Sequence, residues 1–222
     1  MTTHTSTISA NLSIDTALEA ARAEQWLQSL FLLSGMAALT YQICWQRILF
    51  FSFGTDIESV TIVVSTFMLG LGLGALIGGW AADRFPAKII LLFALAELSI
   101  AGFGLASPYL IPVVSDQFIS SGRGAMALAN LLLLLVPTCL MGATLPMLVA
   151  HFFRIYNSIG VSVGQLYFVN TLGGAVGCMA VGFFGFRFLT LKEVITAAAC
   201  INLVVAVIAL FRLKEARTRV AS

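Results

Sequence analysis

One carboxylate stands in an apolar stretch of this chain, Glu97 in Leu95-Ala96-Glu97-Leu98. Such a group surrounded by hydrocarbon is costly unless it is protonated, paired or turned toward a wet cavity. In the protonated form it suits a proton-coupled step; as a carboxylate it suits a cationic group, or a structural partner such as an Arg or Tyr of a neighbouring helix. A second cluster is Tyr41, Gln42, Trp45 and Arg47. Tyr41 and Trp45 are one helical turn apart and share a face. They fit an aromatic belt at a membrane surface or an aromatic and polar pocket, with Arg47 snorkelling outward beyond them. Tyr167 and Asn170 also share a face, and Asn170, within an apolar run, needs a hydrogen-bond partner on another helix.

Other positions bear on shape. Pro137 and Pro146 flank Gly142 in Pro137-Thr138-Cys139-Leu140-Met141-Gly142-Ala143-Thr144-Leu145-Pro146. Prolines inside an apolar run remove backbone donors, so this segment is expected to kink or unwind, as a hinge or as a purely structural bend. Asp83 and Arg84 end another run, as a gate between helices or as ordinary solvated termini. Gly70, Gly74 and Gly78, and again Gly173 and Gly177, recur at helical spacing and permit close helix packing. Cys44, Cys139, Cys178 and Cys200 lie in apolar runs without a CxxC pair and read as small packing residues. His4 and His151 lie far apart, so no metal or catalytic set is formed. The chain carries no Gly-rich phosphate loop, no HExxH, no Ser/His/Asp set and no dinucleotide fingerprint. No cofactor is expected, and an enzyme of the soluble kind is disfavoured.

The elements that must position these residues follow from composition. Hydrophobic residues make up 59% of 222 and charged residues 10%, with mean hydropathy +1.00. A soluble domain carries about 25% charged residues, so this chain has too few to coat a water-facing surface. The net charge of +2, without a basic patch, excludes nucleic-acid recognition by phosphate contact. A spanning helix needs about 20 apolar residues, and irregular backbone cannot face lipid. The expectation is an all-α polytopic bundle of about six transmembrane helices. They cover Trp26–Trp45, Ser59–Ala82, Lys88–Leu110 (closed by Pro108 and Pro112), Met126–Phe153, Val163–Phe186 and Val194–Phe211. Residues 1–25 form an N-terminal segment with a short surface helix over 13–24, residues 26–212 the membrane domain, and residues 213–222 a basic tail. The N-terminus does not read as a secretory signal, because Asp15, Glu19 and Glu24 outweigh Arg22.

With the N-terminus inside, Arg22, Arg84, Lys88, Arg154, Arg212, Lys214, Arg217 and Arg219 fall on the cytoplasmic side, and Arg47, Arg123, Arg187 and Lys192 on the other. The excess puts both termini in the cytoplasm, in the cell (inner) membrane. The glycine-rich second and fifth spans sit at the middle of two three-helix units, as in transporters built from inverted repeats.

The order of motifs carries a resemblance. It runs Ser34-Gly35, Leu39-Thr40-Tyr41-Gln42-Ile43-Cys44-Trp45-Gln46-Arg47, Phe67-Met68-Leu69-Gly70-Leu71-Gly72-Leu73-Gly74, Ala82-Asp83-Arg84 and Glu97. The proline segment follows, then Gly164-Gln165-Leu166-Tyr167 with Asn170-Thr171-Leu172-Gly173. Over residues 27–212 this resembles the membrane domain of spermidine-synthase-like proteins, fusions of a major-facilitator-like bundle with a spermidine-synthase domain. Two departures stand out: Gln42 occupies a position that is acidic in that family, and the aminopropyltransferase-like domain is not in this sequence. Asp83-Arg84 resembles a major-facilitator loop motif, with Phe85-Pro86 where glycine is usual. The resemblance implies a transporter-like half in which Glu97, Tyr41, Gln42, Trp45, Arg47, Tyr167 and Asn170 shape a cavity for a small polar or cationic solute. Six helices are half the usual major-facilitator number, which implies a homodimer or a membrane or cytoplasmic protein partner. The rival expectation is a non-transporting subunit that anchors or regulates a partner complex.

Overall fold

The structure, a computed structural model, describes residues 25–154 and 158–214, and the helical backbone alone over 2–24, 155–156 and 215–221. The described residues are helical apart from short turns, and among them six helices are long and apolar enough to cross a membrane. They are α1 (Thr2–Phe53), α2 (Asp56–Arg84), α3 (Ile89–Phe118), α4 (Arg123–Tyr156), α5 (Ile159–Ala180) and α7 (Leu191–Ala221). A π-helical turn (Val181–Gly185) and a short helical turn, α6 (Phe186–Phe188), extend α5. The protein is an integral membrane bundle.

The helix ends are set by turn chemistry. Gly54 (φ 74°) and Gly122 (φ 95°) adopt the left-handed backbone that stops α1 and precedes α4. Thr190 and Glu193 bond reciprocally at the start of α7, in the manner of a capping box. Ser158 caps α5 by accepting from the Val161 amide. Arg123 pairs with Glu58 at 3.0 Å, joining the α1–α2 and α3–α4 turns at one end of the bundle. At the other end Arg154 donates to the Pro86 carbonyl at 3.1 Å.

Several helices outrun the expected spans. α1 continues past Trp45 to Phe53, and its backbone is one helix from Thr2, without a break between the lead-in and the span. α3 contains Pro108 and Pro112 rather than ending at them, and α4 passes through Pro137 and Pro146 as continuous helix, without unwinding. The reason is local repair. Pro108 leaves the Gly104 carbonyl without its helical donor, and Ser107 Oγ donates to that carbonyl at 2.7 Å. Beside Pro137, which frees the Leu133 carbonyl, Thr138 Oγ1 donates to the neighbouring Leu134 and Leu135 carbonyls at 2.8 and 3.1 Å. Proline is tolerated in spans where neighbouring hydroxyls satisfy the freed backbone.

The largest helix-to-helix interfaces are α2 on α4, α1 on α5 and α3 on α7. Glycine makes the first two possible. A Cβ on Gly70, Gly74 or Gly78 would strike Thr138, Cys139 or Ala143 of α4, and one on Gly142 would strike Leu71 of α2. In the other pair, Gly173 and Gly177 of α5 meet Leu32 and Met36 of α1, and Gly35 meets Asn170. Exchanging the first three spans with the last three turns the α1–α5 interface into α4–α2 and leaves α3–α7 in place.

Candidate functional site

Glu97 lies in the first third of α3 and is completely buried. Its position is about 12 Å along the helix from Ile89. Ser34 of α1 donates to Oε1 at 2.5 Å, and Asn202 Nδ2 of α7 donates to Oε2 at 2.5 Å. Among the described residues Glu97 forms no salt bridge. Both partners are versatile. A serine hydroxyl donates or accepts, and a half-turn of an asparagine amide exchanges its donor for its acceptor. Asn202 Oδ1 has no hydrogen-bond partner. The site can therefore hold the carboxyl with or without its proton, whereas an Arg or Lys partner would fix the charged form.

Above this triad α1 and α3 build an aromatic core. Tyr41 and Trp45 are fully buried and stack with ring centroids 5.3 Å apart. Trp45 Nε1 donates to Ser107 Oγ at 2.9 Å, so Ser107 joins α1 to α3 while repairing the proline gap. Tyr41 Oη lies in electrostatic reach of Glu97 and has no hydrogen-bond partner. These rings are bundle core, not a surface belt, because α1 runs on for two more turns and carries them inward.

A cavity of about 110 Å³ opens between α1, α2, α4 and α5. Its polar lining is Ser34, Gln42, Thr144 and Asn170, with Phe67 and Met141 among its apolar walls. Of the residues expected from sequence to shape a cavity, Gln42 and Asn170 reach it. Glu97 does not line it, but Ser34, which does, donates to the carboxyl. Tyr41 and Trp45 are in the core, Arg47 is exposed over the Phe186 ring at 4.0 Å, and Tyr167 is 61% exposed on the outer surface. Asp83 and Arg84 are exposed at the end of α2, and Arg84 lies over the Phe85 ring. Among the described residues no cluster of His, Cys, Asp or Glu could hold a metal ion.

Ser107 and Asn202 were not singled out by the sequence, and Ser34 and Thr144 entered only as members of motifs, without a site role. Asn202, in Cys200-Ile201-Asn202-Leu203, is as conspicuous an amide in an apolar run as Asn170. The serines and threonine give no such signal, since hydroxyls commonly bond their own helix.

Comparison with known proteins finds distant similarity to two transporters and to one aminopropyltransferase. The chain is 29% identical over 169 residues to the 4-hydroxybenzoate transporter PcaK of Pseudomonas aeruginosa, covering 73% of this chain and 34% of that one. It is 21% identical over 201 residues to a polyamine aminopropyltransferase of Oceanobacillus iheyensis, covering 90% of this chain and 37% of that one. A stretch of 64 residues is 33% identical to a triacylglyceride transporter of Mycolicibacterium smegmatis, 29% of this chain and 11% of that protein. The chain thus spans about a third of the length of the first two relatives. No family model matches it, and no solved structure does.

Proposed function

We propose that the chain is a transporter-like bundle of two inverted three-helix repeats, with the solute path through the polar cleft between α1, α2, α4 and α5. Glu97 is the proton-holding group beside that path. The observation that carries this reading is the carboxyl held by two reversible hydrogen-bonding partners and no cation. A fixed positive partner would instead favour the charged form throughout. The cleft offers hydroxyls and amides but no charge, which favours a small polar solute and a cationic one only where Glu97 supplies the counter-charge. No cofactor and no catalysis are part of this reading. The orientation, both termini in the cytoplasm of a cell (inner) membrane protein, rests on the Lys and Arg distribution.

The test is uptake into proteoliposomes under an imposed pH gradient, with labelled 4-hydroxybenzoate and labelled spermidine as probes chosen from the relatives' names. Wild-type chain is expected to move one of them and Glu97→Gln to abolish the gradient-driven part. Equal flux with Glu97→Gln would remove Glu97 from the mechanism.

A second reading is favoured by a different observation. α5 and its extension present Tyr167, Phe168, Phe183, Phe184 and Phe188 to the outside, each more than half exposed. Such an aromatic stripe also fits a helix face of a partner protein or a second copy, as a membrane subunit would need. Mild-detergent purification with mass spectrometry separates the two: a stoichiometric partner supports the subunit, a clean single component the self-contained transporter.

A further inference from the structure

We propose that Ser34 is the proton route between the polar cleft and Glu97, which deepens the transport reading while resting on geometry that stands without it. Ser34 does two things at once: its Oγ donates to Glu97 Oε1 at 2.5 Å, and the residue lines the cleft with Gln42, Thr144 and Asn170. The other partner, Asn202, is 1% exposed and does not line that cleft. Glu97 itself has no exposed surface, so the hydroxyl is the polar link between the carboxyl and the cleft.

The step balances simply. A cavity of about 110 Å³ has room for a few waters, each occupying about 30 Å³. A hydrated proton there passes to Ser34 Oγ as the proton already on that hydroxyl passes to Glu97 Oε1. One O–H bond forms on the carboxyl, one is exchanged on the serine, and one proton leaves the cleft. The reverse transfer returns it. The forward transfer itself leaves Ser34 accepting from the protonated carboxyl and donating toward the cleft. In that state the occupant beside Ser34 must offer an acceptor oxygen or nitrogen. Along the middle of the helices packed against α3 the titratable groups are Tyr41 and Cys44 on α1, Cys139 on α4 and Cys200 on α7, phenol and thiols without a fixed positive charge; Arg47, Arg123, His151, Arg154, Lys192, Glu193, Arg212 and Lys214 stand toward the ends of those helices.

The experiment needs no identified solute. Purified chain in lipid nanodiscs is followed by infrared spectroscopy on exchange from water to heavy water, and the Glu97 carboxyl band is identified by its loss in Glu97→Gln. Ser34→Ala is expected to slow exchange at that band by about tenfold or more, the scale of losing one hydrogen-bonded link. Ser34→Thr, which keeps the hydroxyl, should return the rate. Ser99→Ala, two residues along α3 from Glu97, removes a hydroxyl that donates to its own helix and should leave the rate unchanged. If Ser34→Ala does not fold, Ser34→Cys, close in volume with a weak donor, decides on the same terms. An unchanged rate without the hydroxyl, or no Glu97 acid band at any pH where the protein stays folded, overturns the proposal. Absence of uptake in proteoliposomes would count against transport alone and leave this measurement intact.

Discussion

Two cavities in this bundle differ in opposite senses. The larger, about 500 Å³ between α2, α3 and α4, is walled by Ile77, Leu92, Leu95, Leu132, Val136 and Met147 with neighbours of the same kind. The smaller, about 110 Å³, is bordered by Ser34, Gln42, Thr144 and Asn170. Volume points to the first and chemistry to the second. An aliphatic groove on a membrane protein is what a lipid tail fills, and it discriminates weakly. Polar groups at membrane depth are costly to keep, so a cluster of them around a small cleft makes that cleft the stronger functional candidate. Glu97 lies between the two, on the helix that walls the larger cavity, yet its hydrogen bonds lead to the smaller one.

The comparison can be broken at four places. The largest effect is expected from the wall that both cavities share: Gly74→Val drives a side chain into the Cys139 backbone of α4. It should cost about 3 kcal/mol or more and yield aggregated protein on size-exclusion chromatography; a monodisperse bundle would show that α2 and α4 are free to separate. Next, Glu97→Leu strands the Ser34 and Asn202 donors. It is expected to destabilise by about 1–3 kcal/mol for each buried group left unpaired, read as a lower thermal midpoint in detergent, while Glu97→Gln stays close to wild type. Equal midpoints for the two would mean that the triad contributes no stability. Third, Asn170→Leu at the mouth of the polar cleft should lose most of the uptake assayed above and keep a midpoint within about 1 kcal/mol of wild type. Retained uptake would move the solute path elsewhere. The smallest effect is reserved for the apolar groove. Ser99→Leu fills part of it from an exposed position and should change stability by no more than about 0.5 kcal/mol and uptake not at all.

How much of this could be read in advance differs between scaffold and site. Length and hydropathy are properties of a contiguous segment, so all six spans were legible, as was the glycine spacing that seats α2 on α4 and α5 on α1. Helix ends were less so. Phe50, Phe51 and Phe53 carry α1 beyond Trp45, and Ser107 holds α3 helical at Pro108, repairs that become visible only in three dimensions. Glu97 was conspicuous because a lone carboxylate contradicts its surroundings. Ser34 and Asn202 meet it from residues 63 and 105 positions away, and sequence spacing holds no information on such a meeting. Tyr41 and Trp45 show the same limit: one turn apart, they fit a membrane-surface belt and a buried stack equally well, and the depth of α1 decides between them.

The pairing of α1 with α5 has a consequence for biosynthesis. Synthesis is vectorial, N-terminus first, so α1 enters the membrane long before α5 exists, and its Gly35 face has no lasting partner until the chain has been made as far as Gly177. α2 and α4 can dock earlier, and α3 waits for α7. Chain order therefore allows α2 and α4 to form a platform onto which the first helix is later recaptured. A ribosome stalled after α4 would leave the Gly35 face of α1 without its α5 partner, while Glu97 of α3 and the α2 and α4 walls of the cleft are already present for Ser34 and Gln42.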